Sequence, residues 1–219
     1  MSAQSAGVGA PAIVILGAGG HAAVVAESAQ AAGHALHAIA ARERPEAIAP
    51  LGALPWLGDP DDPAVAARLD ALVAAGVRLH AAVGDAGLRM RWFARFGAHA
   101  FATVVDRSAI VSPSAAIGAG AFIAPRATVN ARATLADGAI VNTGATIEHD
   151  CALGACSHVA PAAVLCGGVR VGQGSLVGAG AVVVPGIAVG ANATIGAGSV
   201  VVRDVEASST AVGVPARPR

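Results

Sequence analysis

The sequence predicts a small α/β domain followed by an all-β domain built as a parallel β-helix. From residue 105 to residue 201 every sixth residue is Val, Ile or Leu, and the fourth residue after each is small or β-branched. Residues 12 to 104 lack this repeat and instead alternate apolar strands with Ala-rich helical stretches. A fixed six-residue period fits neither an α-helix nor a simple alternating strand, but it is typical of a coil whose short strands turn at regular corners.

The composition agrees with this architecture and argues against several classes of function. The chain has 219 residues, of which 55% are hydrophobic and only 3% aromatic, as expected for a prism filled with Val, Ile and Ala. Its formal net charge is zero, so nothing favours a nucleic-acid or anionic-membrane partner. Residues 1 to 10 lack a basic start and no apolar run reaches membrane-spanning length, so we expect a cytoplasmic protein.

The cysteines are an odd set with no metal-binding spacing. Cys151, Cys156 and Cys166 lack a CxxC arrangement and occupy three different positions of the hexad. A shared disulfide or metal is therefore disfavoured. We expect free thiols that are buried or half-buried, and no metal site.

The first apolar strand leads into a glycine-rich turn that is typical of phosphate binding. The strand of residues 12 to 18 runs into the turn Gly17-Ala18-Gly19-Gly20-His21, and a helical stretch continues to about Ala32. Glycines let the backbone approach a diphosphate closely, and the helix N-terminus supplies free N–H groups with partial positive charge. We therefore expect these five residues, Gly17 to His21, to bind the phosphates of a nucleotide.

The rest of the α/β domain predicts one nucleotide rather than NAD. A dinucleotide fold needs a carboxylate about 20 residues after the glycines, where this chain has Ala40-Ala41-Arg42-Glu43. A third short strand is expected near residues 53–57, a helix from Asp62-Pro63 to Ala75, a strand over residues 77–84, and a last helix after Asp85. About 100 residues form half of a Rossmann fold, which suits a single nucleotide.

The repeat contains the only His-Asp pair of the chain, in Asn142-Thr-Gly-Ala-Thr-Ile-Glu-His-Asp-Cys151. A lone histidine on a turn is usually an exposed residue without a functional role. Here Asp150 follows His149 directly and can fix its tautomer or stabilise the imidazolium. We therefore interpret His149 as a catalytic base and Asp150 as the residue that orients it.

These features together resemble the bacterial sugar acetyltransferases grouped with sialic acid O-acetyltransferase. The resemblance covers essentially the whole chain. It rests on the glycine turn, on Gly84-Asp85 with Arg89, and on four stretches of the repeat and the C-terminus, namely Asn142-Thr-Gly, Glu148-His-Asp-Cys151, Ser157-His-Val-Ala-Pro161 and Val212-Gly-Val-Pro-Ala-Arg217. It implies a left-handed β-helix with three hexads per coil, so that residues 105–200 make a little over five coils.

The resemblance also implies the substrates and the assembly. Within that group the chain is most similar to the enzymes that acetylate the 4-amino group of a nucleotide-linked dideoxy sugar, with GDP-perosamine favoured and a UDP-4-amino sugar next. Acetyl-CoA is the implied cosubstrate, bound between neighbouring subunits of a homotrimer. The expected domains are residues 1–104 for the nucleotide sugar, residues 105–204 for acetyl transfer, and a C-terminal tail of residues 205–219.

Residues 18 apart then stack on successive coils, at about the 4.8 Å spacing of paired strands. Above His149 come Gly167, Pro185 and Arg203. We expect the Gly167 amide to meet the acetyl oxygen and Arg203 to meet coenzyme A phosphates. Asn142 is interpreted as an acetyl or substrate contact, with a turn-forming Asn as the alternative.

His158 and the nucleotide pocket complete the expected site. His158 lies half a coil from His149, so a shared pocket would need two chains; it is either an acetyl-CoA contact or a solvated corner residue. Members of the group often carry two aspartates where this chain has Ala41 and Arg42. Glu43 could instead accept N1–H and N2–H of guanine, and Arg42 and Gly84 complete the predicted nucleotide-sugar site.

The sequence leaves one main alternative function and disfavours two others. Sialic acid or other sugar O-acetylation uses the same scaffold and is the main alternative. An NAD-dependent oxidoreductase would need the missing carboxylate and a second nucleotide-binding half. A structural or carbonic-anhydrase-like hexapeptide protein would need histidines at zinc spacing on neighbouring faces, which are not obvious here.

Overall fold

The protein forms an α/β domain joined to a parallel β-helix. The structure, a computed structural model, describes residues 10–46 and 49–219, so most of the stretch considered for a signal peptide lies outside the described residues. The α/β domain contains β1 (Ile13–Leu16), α1 (Gly20–Ala31), β2 (Leu36–Ala40), α2 (Pro63–Ala74), β3 (Arg78–Ala81) and α3 (Ala86–Phe96), with 3₁₀ turns at Leu51–Ala53 and Ala98–Ala100. Its strands are all parallel, in the order β2-β1-β3. This order is half of a doubly wound sheet, as the sequence predicted.

Local sequence signals account for most of these elements. The Asp62 side chain accepts from the N–H groups of Ala64 and Val65, and Pro63 occupies the first helical position of α2. Asp85 caps α3 in the same way by accepting from Leu88 N–H at 2.6 Å. The predicted starts of both helices are therefore confirmed.

Two strand predictions in this domain were wrong, because one of the strands does not form and the other is shorter than predicted. Residues 53–57 form no strand, because the chain there makes a 3₁₀ turn and only Trp56 bridges to Ile39. Pro55 has no N–H to donate to a ladder, which limits pairing at this point. The strand expected over residues 77–84 ends at Ala81, so that Val83 and Gly84 lie beyond the sheet at its carboxyl edge.

The β-helix contains seventeen two-residue strands, β4 to β20, with three strands to a coil. We call the three stacks of strands the first face (from β4), the second face (from β5) and the third face (from β6). Residues 18 apart pair in register, as Ile140 does with His158, which confirms the predicted stacking. The strands are Val104–Val105, Ile110–Val111, Ala116–Ile117, Phe122–Ile123, Thr128–Val129, Thr134–Leu135, Ile140–Val141, Thr146–Ile147, Ala152–Leu153, His158–Val159, Val164–Leu165, Arg170–Val171, Leu176–Val177, Val182–Val183, Ala188–Val189, Thr194–Ile195 and Val200–Val201.

The interior of the β-helix is the continuous core that the repeat predicts. The second residue of each strand and the small residue four positions later point inward, and most are fully buried, as Ile147 and Cys151 are. Cys151, Cys156 and Cys166 are free, the first two buried and the third half-buried, as expected.

Residues 205–219, predicted as a tail, add two further strands at the end of the first face. β21 (Thr210–Gly213) pairs in parallel with β19, and β22 (Ala216–Pro218) folds back antiparallel on β21. The last coil therefore has paired backbone where an open edge would otherwise lie.

The α/β domain packs on the first face over the early coils. One buried cluster joins Ile15 and Val25 of the α/β domain to Val104, Phe122 and Ile140 of the β-helix. Arg89 of α3 is 1% exposed at this junction and donates to four backbone carbonyls, those of Val83 (2.9 Å), Gly138 (3.1 Å), Cys156 and Ser157 (3.4 Å). A guanidinium satisfied by both domains fixes their relative orientation.

Candidate active site

His149 lies at the corner between the second and third faces, between β11 and β12. Its Nδ1 is 2.8 Å from Asp150 Oδ2. An ionised carboxylate can only accept, so Nδ1 carries the hydrogen and Nε2 is left free to take a proton. This is the arrangement that the adjacent His-Asp pair predicted.

Arg132 completes this corner and was not predicted from the sequence. Its Nε donates to Asp150 Oδ1 at 2.6 Å and its second guanidinium nitrogen to Asp150 Oδ2 at 2.7 Å. The Arg132 guanidinium, followed by His149, holds the pKa of the Asp150 carboxyl well below its usual range. The signal that could have found it is the 18-residue interval between an arginine and an aspartate in a chain whose coils repeat every 18 residues.

Gly167 lies above the His149 ring, on the next coil. A Cβ at this position would be 2.6 Å from Cε1 and 2.7 Å from Nε2 of His149. The ring is therefore packed against the Gly167 backbone, and only glycine leaves space for it. The predicted stacking of these two residues is observed, and the oxyanion role of the amide stays a prediction.

Asn142 and His158 contact each other rather than His149. Asn142 Oδ1 accepts from Thr143 N–H at 2.8 Å, so its Nδ2 is the atom that donates to His158 Nε2 at 3.0 Å. His158 lies on strand β13 of the first face, half-buried. The alternative of a solvated corner residue was therefore wrong, because the side chain points from a strand toward the α/β domain.

Three histidines gather where that domain meets the first face, and we call His21, His80 and His158 the junction histidines. The His21 and His158 ring centroids are 6.3 Å apart, and both His21 and His80 pack edge-on against Phe122. Burial, with a smaller contribution from the Arg89 charge, lowers the pKa of each to about 4. They are therefore neutral at pH 7, and the buried Nε2 of His21 has no hydrogen-bond partner among the described residues.

The carboxyl edge of the three-stranded sheet carries two adjoining clefts that share Ala18 and Glu43. One, of about 540 Å³, is lined by Gly19, Gly20 and residues 43–46. The other, of about 370 Å³, is lined by Arg42, Asp59–Asp61 and the start of α3. Ligands of open α/β sheets bind at this edge, so the clefts lie where the sequence predicts a nucleotide site, which stays a prediction.

The glycines of this turn have different structural tasks. A Cβ on Gly17 would lie 2.8 Å from Ala82 O, and its φ is +124°, so this glycine is required by the close approach of β1 to the end of β3. Gly19 and Gly20 would place a Cβ in open space. Their lack of a side chain is not needed by the protein itself, which is the expectation for a site where a ligand approaches.

Not all of the residues predicted to bind the nucleobase and the sugar line these clefts. Glu43 is exposed at the boundary of both clefts. Arg42 is exposed and pairs weakly with Asp59 at 3.4 Å. Gly84 is exposed beyond β3 and its backbone lies near the His158 ring, so it lies at the junction and does not line either cleft.

Arg203 lies three coils above His149, at the C-terminal end of the stack. It lines a cavity of about 260 Å³ together with Asp204, Glu206 and Arg217. Arg217 is a second cation here that the sequence did not single out. The mixture of charges suits a phosphorylated ligand only where the arginines face it, so the role of Arg203 stays a prediction.

The parts of the expected site do not meet within one chain. His149 occupies the edge between the second and third faces, whereas the α/β domain, with Gly19 and His158, covers the first face. A three-sided prism places that edge opposite the first face. One chain therefore cannot bring its own nucleotide cleft next to its own His149 corner.

None of the helices within residues 10–46 and 49–219 combines the length and hydropathy needed to cross a membrane. The same residues contain no cluster of three or more His, Cys, Asp or Glu side chains suited to a metal ion.

Comparison with known proteins identifies the family. The PglD N-terminal domain family matches residues 12–96, the bacterial transferase hexapeptide family matches residues 168–203, and the hexapeptide repeat of succinyl-transferase matches residues 144–183. The crystal structure of PerB from Caulobacter crescentus, in complex with CoA and GDP-perosamine, is 38% identical, with a TM-score of 0.85 over 100% of both chains. The chain belongs to the hexapeptide-repeat sugar acetyltransferases.

Two further solved structures match nearly the whole chain. The acetyltransferase domain of PglB from Neisseria gonorrhoeae is 35% identical, with a TM-score of 0.84, covering 96% of this chain and 100% of that one. WeeI from Acinetobacter baumannii, at 20% identity and a TM-score of 0.81 over 96% of this chain and 100% of that one, shares the fold. No curated protein sequence matches the chain.

Proposed function

We propose that this protein transfers the acetyl group of acetyl-CoA to the 4-amino group of a nucleotide-linked 4-amino-4,6-dideoxy sugar, with GDP-perosamine favoured and a UDP-4-amino sugar next. The observation that carries the proposal is the His149 corner, where Asp150 fixes the tautomer and Nε2 is free beside Gly167. Support for the substrates comes from the 38% identical PerB, whose structure contains CoA and GDP-perosamine.

The α/β domain holds the nucleotide in this proposal. The diphosphate lies on Gly19 and Gly20 at the N-terminus of α1, where free N–H groups and the helix dipole favour an anion. Glu43, exposed between the two clefts, is placed to accept from a guanine edge. A uracil presents one N–H at its pairing edge where guanine presents two, so Glu43 favours guanine.

The reaction is direct transfer in a ternary complex. The unprotonated sugar amine attacks the thioester carbonyl, the Gly167 amide stabilises the developing oxyanion, and coenzyme A leaves as the thiolate. His149 Nε2 accepts the proton that the amine loses as the C–N bond forms. Because a free amine attacks without prior deprotonation, His149 contributes less here than it would for a sugar hydroxyl.

The site is shared between subunits of a homotrimer in this proposal. The outward residues of the second face are Thr or aliphatic on every coil, from Ile110, which is 67% exposed, through Val164 to Val182 and Val200. Four aliphatic side chains on the six coils of one face, with Ile110 largely exposed, favour a contact with another subunit. This face borders the His149 corner, so covering it with a neighbour brings one chain's base to the next chain's junction.

The proposed activity is tested with a panel of acceptors. Purified protein is supplied with acetyl-CoA and, in turn, GDP-perosamine, a UDP-4-amino sugar and sialic acid, and the release of free thiol is followed. Acetylation of the nucleotide-linked amines and not of sialic acid is expected. Turnover with sialic acid alone would replace this proposal with the O-acetyltransferase alternative.

The shared site is tested by separating the subunits. Val164→Glu places a charge in the middle of the second face, whereas Ala116→Glu places the same charge on the exposed third face. Light scattering should show a trimer for the protein and for the Ala116 variant, and smaller species without activity for the Val164 variant. A fully active monomer of about 21 kDa would contradict the shared site.

A further inference from the structure

We propose that Arg132 is a positioning residue that sets the orientation and the tautomer of His149 through Asp150, a role that rests on the proposed function of His149 as the base. The guanidinium of Arg132 donates its hydrogen bonds to Asp150. It acts on the carboxylate that holds the imidazole.

The geometry of the corner supports the orienting part of this role. Arg132 and Asp150 occupy the same corner on successive coils, with φ values of +60° and +62°. The guanidinium binds both carboxylate oxygens, and Oδ2 also accepts from His149 Nδ1. A bidentate pair fixes the plane of the carboxylate, which a free and exposed aspartate would not maintain. The ring is thereby held between Asp150 and the Gly167 backbone.

The hydrogen bonds at the corner support the part that concerns the tautomer. Asp150 Oδ2 can only accept, so it binds His149 Nδ1 as an N–H and leaves Nε2 as the nitrogen that can take a proton. Arg132 keeps the carboxylate in place for this bond by donating to both of its oxygens.

Arg126 provides a matched control for Arg132. It is also exposed, has a φ of +59°, and its backbone N–H donates to Ser108 Oγ just as that of Arg132 donates to Ser114 Oγ. The residue stacked above it is Gly144, which offers no carboxylate. Substitution of Arg126 therefore removes the same charge from an equivalent corner without disturbing Asp150.

The first test determines the tautomer of His149 by NMR of the ring nitrogens in the full protein, with His149 assigned from the His149→Asn spectrum. The native protein and Arg126→Gln should carry the hydrogen on Nδ1, whereas Arg132→Gln should move the ring toward the mixture of tautomers, mostly Nε2–H, of a free imidazole. Arg132→Lys should keep most of the native tautomer. An unchanged tautomer in Arg132→Gln, or an equal change in Arg126→Gln, overturns the proposal.

The second test measures kcat/KM from pH 6 to 9. Arg132→Gln should lower the plateau about tenfold and should have little further effect on the plateau once Asp150 is Asn. A full additional loss in the Asp150→Asn background would show that Arg132 does not act through Asp150. The tautomer measurement needs no substrate, so it judges the proposal even if no tested acceptor is acetylated. A failure of acetylation alone counts against the proposed function.

Discussion

The substitution Gly167→Ala should displace the imidazole of His149 without changing the stability of the fold. The new methyl group would lie 2.6 Å from His149 Cε1 and 2.7 Å from Nε2. Ordinary carbon contacts are about 3.5–4.0 Å, so the ring has to retreat by about 1 Å. The exposed ring can swing toward solvent, while the φ of Gly167 lies outside the left-handed region and accepts alanine without strain.

The expected cost follows from that displacement. Misplacing a catalytic group by about 1 Å costs up to about 10²-fold, and the loss cannot exceed that of removing the imidazole. We therefore expect kcat/KM with acetyl-CoA and the nucleotide amino sugar to fall between about 10- and 10²-fold. The melting temperature should be unchanged or slightly raised, because alanine restricts the unfolded chain more than glycine does.

Two further measurements make this reasoning refutable. In a His149→Asn background, Gly167→Ala should cost almost nothing more, since the ring that it displaces is already absent. Native kcat/KM in the single variant would mean that the position of the ring does not limit the reaction. A large extra loss in the double variant would assign the effect to the Gly167 backbone.

Four other outcomes are expected. Gly19→Val should raise the acceptor KM tenfold or more while leaving the melting temperature unchanged, because its side chain enters open space in the cleft and blocks the diphosphate. His149→Asn should lose activity near the low end of the 10²- to 10⁴-fold range for a positioned base, partly recovered at high pH, with Asp150→Asn milder, in kinetics from pH 6 to 9. Arg89→Met should lower the free energy of unfolding in urea by about 3 kcal/mol, since four buried carbonyls lose their donor. The melting temperature of the native protein should fall as the pH is lowered from about 6.5 to about 4, because the junction histidines stay neutral in the folded state while the unfolded chain takes up protons.

Each of these outcomes has a result that would count against it. An unchanged KM in Gly19→Val would move the diphosphate away from the glycine turn. A loss in His149→Asn beyond the general-base range and flat with pH would favour a hydroxyl acceptor. Native urea stability in Arg89→Met would show that the junction does not depend on the guanidinium. For the fall in melting temperature at acid pH, His80→Phe should make the melting temperature less dependent on pH. An unaltered dependence in that variant would mean that groups other than the junction histidines cause the fall.

The sequence alone was sufficient for the architecture because its signals are local and periodic. The six-residue repeat specifies the inward side chains of every coil, and the 18-residue register follows once three strands form a coil. Asp62-Pro63 and Asp85 marked the starts of two helices through caps that involve only neighbouring residues. The short pairing around Trp56 carried no such signal, which is why residues 53–57 were wrongly predicted as a strand.

Within the site, the sequence by itself determined which residues are neighbours along the chain and which residues stack on successive coils. The pairing of His149 with Asp150 and the position of Gly167 above the histidine both follow from spacing. Only the tertiary structure decided the contacts that depend on how the domains and side chains pack. Burial at the junction, with a smaller effect of the Arg89 charge, lowers the pKa of the junction histidines. The α/β domain brings His21 to His158 on the first face and leaves His149 on the opposite edge of the prism, because the face that a domain covers is set by packing over the whole surface and not by any local stretch of sequence.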